Sequence, residues 1–434
     1  MRILIFFIVF VWGIGANLHF DLYKKNSNQG NTLLVIGGIH GNEPGGYFSA
    51  SFLVRYYHIT YGNLWIVPNL NFDSIIQNRR GIYGDMNRKF AFIKKSDKDY
   101  KIVNDIKKII LNKQVDLVIN LHDGHGYYRR SWENSIFNPQ AWGQACIIDQ
   151  EKIKADKFGN LGEMAQKVAK TINKNLKKGY HFFNVKNTKT KFKDEQMRLS
   201  LTYFAITHSK PALAIETSKN IKDLATKVYY QLRAIEGFMK LLGIKYERDF
   251  TLSIPEIRKL LNKEEYIVIN GKSIIPLNAK KRIGFFPLSK KLSYKSPNPL
   301  VVIVKRKNVY DVYEGNRKIT TLFIQRFKSG CKLDKITLIT DGKTKSVELP
   351  SVVGFKSSFK ILTDKYRVNV IGFASKSNEA NKVIKYLDLD KKFAIDKNNR
   401  LFRVEIYKED KYCGMILLRK EDENSISKLE QGKN

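Results

Sequence analysis

Cysteine is almost missing. The chain's 434 residues hold three, Cys146, Cys331 and Cys413, far apart and at no spacing that a zinc–thiolate module uses. That excludes a thiolate metal centre and a disulfide-dense scaffold. A bridge between two of the three stays open in an oxidising compartment, but the sequence does not pair them. The simpler expectation is that they are small buried apolar side chains. Acidic residues are scarce too, 41 against 77 Lys and Arg, for a formal net charge of +36. A balance so far from zero favours anionic partners. Nucleic-acid recognition motifs are absent and the lysines are spread along the whole chain, so no nucleic-acid partner is expected. Anionic cell-wall polymer or membrane headgroups fit better. There is no internal repeat, and no segment after the first sixteen residues has the character of a membrane span.

What is present supports real cores: 43% of residues are apolar and 12% aromatic, unlike a disordered chain. Met1–Ala16, "MRILIFFIVFVWGIGA", has one basic residue, then a short apolar stretch ending in small residues. It has the form of a secretory signal peptide and predicts export to the periplasm. Residues 17–245 alternate strand and helix patterns. Strands are expected at Leu33–Gly37, Leu64–Pro68, Leu117–Leu121, Ala145–Ile148 and Ala212–Glu216. Amphipathic helices are expected at 99–111, 161–176 and 221–242, with Gly243 as a C-cap. This predicts an α/β unit with a mixed, mostly parallel sheet flanked by helices. Beyond residue 246, after one short helix at "IPEIRKLLN", short apolar or alternating runs are separated by turn signals such as "NG" at 270–271 and "DG" at 341–342. One or two small β-rich domains are expected, at 246–348 and 349–434, the second with a frayed polar tail.

The chemistry-bearing residues lie where the predicted strands end. "TLLVIGGIHGNEPGG" ends a buried strand in His40 and Glu43, three apart in a glycine-rich loop. "VDLVINLHDGHG" ends another in His122, with His125 as a competitor. Two imidazoles and a carboxylate suit a borderline cation such as zinc and leave a position for water. "PALAIETSKN" ends a third strand in Glu216, a carboxylate suited to general-base work on that water. Between them "NRRGIYGDMNRKF" carries Arg79, Arg80, Asn87 and Arg88. An Asn-Arg pair with an upstream Arg suggests planar, bidentate capture of a carboxylate, the group an exopeptidase must recognise.

Together these segments resemble the zinc metallocarboxypeptidases across residues 20–245. The resemblance implies a carboxypeptidase-like fold and zinc as cofactor. It makes His40, Glu43 and His122 the metal ligands, Arg80 the arginine facing the oxyanion, Asn87 and Arg88 the clamp on the substrate carboxylate, and Glu216 the general base and acid. Tyr203 is a candidate to cap the substrate and Trp142 to wall the pocket. Within the family the chain is most similar to exported peptidoglycan DL-carboxypeptidases of helical and curved bacteria. These trim tripeptide stems to dipeptides, release meso-diaminopimelate and so modulate cell shape. That implies peptidoglycan stem peptides as substrate, with cell-wall or periplasmic protein partners possible through the β domains. "GGIHGNE" is also similar to the metal loop of N-acyl amino acid deacylases of the aspartoacylase and succinylglutamate desuccinylase type, which are usually cytosolic. A wall-binding protein without catalysis is the remaining alternative.

Overall fold

The computed structural model describes residues 18–27, 29–288, 292–328, 330–375 and 377–422. The expected export segment, Met1–Ala16, lies outside them. In the first half of the chain, β1 is Tyr23–Asn26, β2 Thr32–Ile36, β3 Tyr57–Tyr61, β4 Asn63–Val67, β5 Leu117–Gly124, β6 Tyr127–Tyr128, β7 Phe137–Asn138, β8 Ala145–Ile148, β9 Asn184–Asn187 and β10 Ala212–Ser218. Seven of these form one sheet in the order β1-β4-β2-β5-β10-β8-β9. The four central strands, β4, β2, β5 and β10, are mutually parallel, and β1 and β8 join antiparallel. The sheet is therefore mixed and mostly parallel. Its central strands are continuous apolar runs because both faces are covered.

The helices are α1 (Pro44–Tyr56), α2 (Phe72–Ile76), α3 (Tyr100–Ile110), α4 (Leu161–Ile172), α5 (Thr190–Lys193), α6 (Leu201–Thr207), α7 (Leu224–Leu241) and α8 (Ile254–Leu261). The longer helices fall within a few residues of the periodic segments, and Gly243 takes the left-handed conformation, φ +71°, expected of a residue just past a helix end. The chain pattern does not announce α1. It is buried around nearly its whole circumference, from Gly45 to Leu53, so it has no polar stripe and no 3.6-residue signature. Among the described residues no helix is long and apolar enough to cross a membrane.

The second half is β-rich, as the turn signals predict. In the hairpin joining Lys335–Thr340 to Lys343–Glu348, Asp341 and Gly342 both have positive φ, +50° and +80°. That is the two-residue turn whose twist matches paired strands. A four-stranded sheet, Arg282–Leu288, Arg317–Arg326, Val309–Glu314 and Val301–Arg306, lies next to the α/β half. Leu300, Val302 and Tyr313 enter the main core. Asn298 accepts from the Ser51 hydroxyl of α1 at 3.2 Å and donates to Glu314 at 2.8 Å.

Farther on, Ser351–Phe355, Lys411–Lys420, Leu401–Lys408 and Arg367–Val370 form another sheet. Its strand Lys411–Lys420 sends Met415 and Leu417 into one β core and Ile416 and Leu418 into the other. The two-residue period of a strand thus places two separate cores on the two faces of one sheet.

The cysteines divide. Cys146 on β8 is a fully buried free thiol, pushed up to about 12 by that burial. Cys331 and Cys413 are joined in a disulfide. The expectation of three small buried apolar side chains is corrected for that pair.

Candidate active site

β2, β5 and β10 run parallel and end on one edge of the sheet, where open α/β sheets place their sites. The loop after β2 carries His40, and Glu43 is the residue preceding α1. Its glycines have packing reasons. A side chain on Gly41 would run into the backbone of Ser74, and one on Gly45 into the Asp123 carboxylate, which instead accepts the Gly45 N–H at 2.9 Å. α1 can start beside the ligand loop only because nothing larger than hydrogen stands there.

His40, Glu43 and His122 are buried and form a group whose donor atoms all lie within 4.8 Å of one another. Glu43 Oε1 lies 3.1 Å from His40 Nδ1, and Oε2 lies 2.8 Å from His122 Nδ1. Burial alone would raise the Glu43 carboxyl, but the two imidazoles outweigh it and hold the group well below its ordinary value. His125 stands outside this group and is exposed, although it lines the same cavity. Glu216 lies opposite His122 in the β5–β10 register. Its Oε2 is buried without a hydrogen-bond partner among the described residues. Burial, then the charges of Glu43 and Asp123, push Glu216 well above the usual carboxylate range.

The cavity, about 290 Å³, brings Arg80, Asn87, Arg88 and Trp142 to the same place as the two histidines and the two glutamates. Arg80 donates to Glu43 Oε1 at 3.3 Å and to Asp85 Oδ2 at 2.9 Å. Asn87 is held by the Leu201 N–H at 2.9 Å, and Arg88 donates to the Asn87 carbonyl at 3.0 Å. Trp142 stands on the wall with the Lys186 ammonium 4.2 Å from its ring. Tyr203 does not line the cavity. It is on α6 against the main core, and its neighbour Thr202 faces the cavity instead. Arg79 is exposed and also outside the lining.

Three further residues serve the site. Asp85 lies inside the quoted Arg/Asn motif, yet nothing in the sequence reveals its reach. Its Oδ1 is 2.8 Å from His40 Nε2, while Oδ2 takes the Arg80 Nε–H. Burial opposes ionisation, but His40 and Arg80 hold the carboxyl below its usual range. Asp85 thus fixes the ring of one candidate ligand and the guanidinium beside it. A carboxylate behind a ligating imidazole orients it for the metal, and Asp85→Asn is expected to weaken metal affinity by about 10–100-fold, measured by competition with a chromogenic chelator. Lys219, three residues after Glu216, brings its ammonium 3.2 Å from Glu43 Oε1. Asp123, next to His122, pairs with Lys227 of α7 at 3.0 Å, both buried. A lysine within an amphipathic helix pattern gave no sign of that burial.

Comparisons agree with this geometry. A family described as the catalytic domain of carboxypeptidases controlling helical cell shape matches residues 4–262, and one described as the C-terminal domain of metallo-carboxypeptidases matches residues 329–421. Crystal structures of the cell shape determinant protein Csd4 from Helicobacter pylori, one with product bound and one with a tripeptide bound, are 36% identical to this chain. They cover 93% of it and 100% of their own length at a TM-score of 0.85. The mDAP-bound form of Csd4, described as a D,L-carboxypeptidase, is 36% identical over 92% of the chain, also at 0.85. No curated protein sequence matches.

A parallel-sheet edge that gathers two imidazoles, a carboxylate and a second carboxylate with one oxygen unpartnered among the described residues, in a chain that matches this family, defines a metallocarboxypeptidase, a peptide hydrolase. Its fold, a mostly parallel sheet followed by a β-rich C-terminal half, is similar to that of Csd4 over 93% of the chain. Within that class the chain belongs to the carboxypeptidases controlling helical cell shape.

Proposed function

We propose that the chain is a zinc-dependent D,L-carboxypeptidase of the periplasm, exported by residues 1–16. It trims peptidoglycan tripeptide stems to dipeptides with release of meso-diaminopimelate, and so tunes cell shape. The observation that carries the reading is the placement of Glu216: one strand from His122, at the cavity, with a carboxylate oxygen buried and unpartnered. Structures of Csd4 with tripeptide and with mDAP support the substrate class.

The donor set fits zinc, since two imidazoles and one carboxylate without thiolate are the ligands of catalytic zinc sites, and the buried His40 Nδ1, although 3.1 Å from Glu43 Oε1, makes no well-formed hydrogen bond among the described residues. When bound, zinc would polarise the scissile carbonyl and acidify a water. Glu216 accepts the proton of the attacking water and passes it to the leaving amine. Arg80, about half exposed at the cavity, swings its guanidinium to the developing oxyanion. Asn87 and Arg88 hold the terminal carboxylate of the residue being released.

This division of labour predicts two different kinetic phenotypes. Arg80→Ala is expected to lower kcat by about 10²–10³-fold, the effect of losing one oxyanion donor, with KM little changed. Arg88→Ala is expected to raise KM by about 10–100-fold, the worth of a charged hydrogen bond. Steady-state kinetics on a muramyl tripeptide read both, and the reverse ordering would exchange the roles. The proposal itself is tested by incubating the protein with defined muropeptides and N-acyl amino acids, with and without chelator. A chelator-sensitive fall in mass by one diaminopimelate residue, with free diaminopimelate released, is the expected result. Cleavage of N-acyl amino acids alone would replace the reading with a deacylase.

A further inference from the structure

A second cleft, about 610 Å³, lies away from the active site and has about twice its volume. It opens where the end of α8 meets the β-rich half. Its walls come from residues 260–265, 277–278, 314–319 and 396–401, closed by Arg419. No histidine lines it, so its chemistry is that of binding.

Six cationic side chains face four carboxylates there, and the carboxylates are already engaged. Glu264 pairs with Arg419 at 3.2 Å and Glu265 with Arg55. Glu314 accepts from Asn298 at 2.8 Å and from Arg317. Asp396 accepts the N–H groups of Asn398, Arg400 and Leu401. The donors are not used up. Lys263 and Lys397 stand exposed on the wall with no side-chain hydrogen bond or ion pair among the described residues. Arg419 keeps an Nε without a hydrogen-bond partner among them. What is left over suits an anion.

The rest of the wall says which kind. The amides of Asn262, Asn278 and Asn398 lie on it beside Leu260, Leu261 and Leu277, and the Asn278 Oδ1 has no hydrogen-bond partner among the described residues. An amide pairs with both halves of a peptide bond, and a guanidinium grips a carboxylate with two parallel N–H groups. An inorganic anion would use the cations and leave the amides and leucines idle. A peptide rich in carboxylates uses all three.

A stem tripeptide acylated at its N-terminus is such a peptide, with more carboxylates than ammonium groups and peptide bonds between them. We propose that the cleft is a second, non-catalytic site for a stem peptide, by which the enzyme holds one stem of the wall while it cuts another. This rests on the reading of the protein as a peptidoglycan carboxypeptidase.

The test uses the zinc-loaded full chain carrying Glu216→Gln, so that bound peptide is not consumed. Calorimetry titrates it with the acylated stem tripeptide, a peptide of L-glutamates and inorganic phosphate. Two equivalents of stem tripeptide are expected. Adding Lys263→Glu with Lys397→Glu should weaken one of them tenfold or more, and Arg88→Ala should weaken the other. With Glu216 intact, the two lysine reversals should leave kcat on a soluble muramyl tripeptide unchanged and slow release from intact wall severalfold. Because neither lysine has a partner, the melting midpoint should stay parental.

A single equivalent that only Arg88→Ala removes would overturn the assignment. So would phosphate displacing the tripeptide from the cleft at equal concentration, which marks a plain ion site. Cleft binding of the glutamate peptide but not of the stem would replace it with an acidic protein partner. One equivalent of tripeptide lost to the lysine reversals, with no turnover by the parent, would sustain the cleft and remove the proposed reaction instead.

Discussion

Glu216→Gln is expected to lower kcat by about 10²–10⁴-fold while zinc content and the melting midpoint stay at parental values. The substitution keeps the side chain's shape and removes only its capacity to take a proton. It spares the metal, because Glu216 is not one of the three residues whose donor atoms cluster. It spares the fold, because Oε2 makes no hydrogen bond among the described residues that the amide would break. Elemental analysis and steady-state kinetics on one preparation check both halves. Parental turnover in a zinc-loaded variant would take Glu216 out of the reaction. Loss of zinc along with activity would make it part of the metal site instead.

Lys227→Met should have the largest effect on stability, about 3–5 kcal/mol, the cost of removing one member of a buried ion pair. Asp123 is 1% exposed and Lys227 6%. The carboxylate ties three elements together: it accepts the Lys227 ammonium of α7 at 3.0 Å, the Gly45 N–H of α1 at 2.9 Å and the Thr217 hydroxyl of β10. Without the lysine, a bare charge stays among the groups that hold Glu43 and His122 in place. The double variant with Asp123→Asn should recover part of the loss, since removing both charges costs less than stranding one. Thermal unfolding of the single and double variants checks it. Equal midpoints for Lys227→Met and the parent would mean the pair is worth nothing net.

The parts of this molecule legible in the sequence share one property: they are set by local pattern. β2 is an apolar run followed four residues on by His40, and the apolar runs of β5 and β10 give way to His122 and Glu216 before those strands end, so His40, Glu43, His122 and Glu216 could be named before any coordinates. The parts that were not legible depend on which segments meet. Asp85 reaches across 45 residues to His40, and Lys227 across 104 to Asp123, and no pattern along either segment encodes the distance. Tyr203 was misplaced by one residue's rotation of a short helix: α6 turns Thr202, not the aromatic, toward the cavity. The Cys331–Cys413 pair lies 82 residues apart, with no cue to join it.

The sheet that carries an apolar layer on each side has a consequence for dissecting the protein. Cutting the chain after residue 348 would strip Leu401, Tyr407, Met415 and Leu417 from the neighbouring β core and leave its apolar wall facing water. A shortened protein of that kind should clump rather than report what the tail contributes. The two β units are laminated through a common ply, so neither keeps its core when the other is removed.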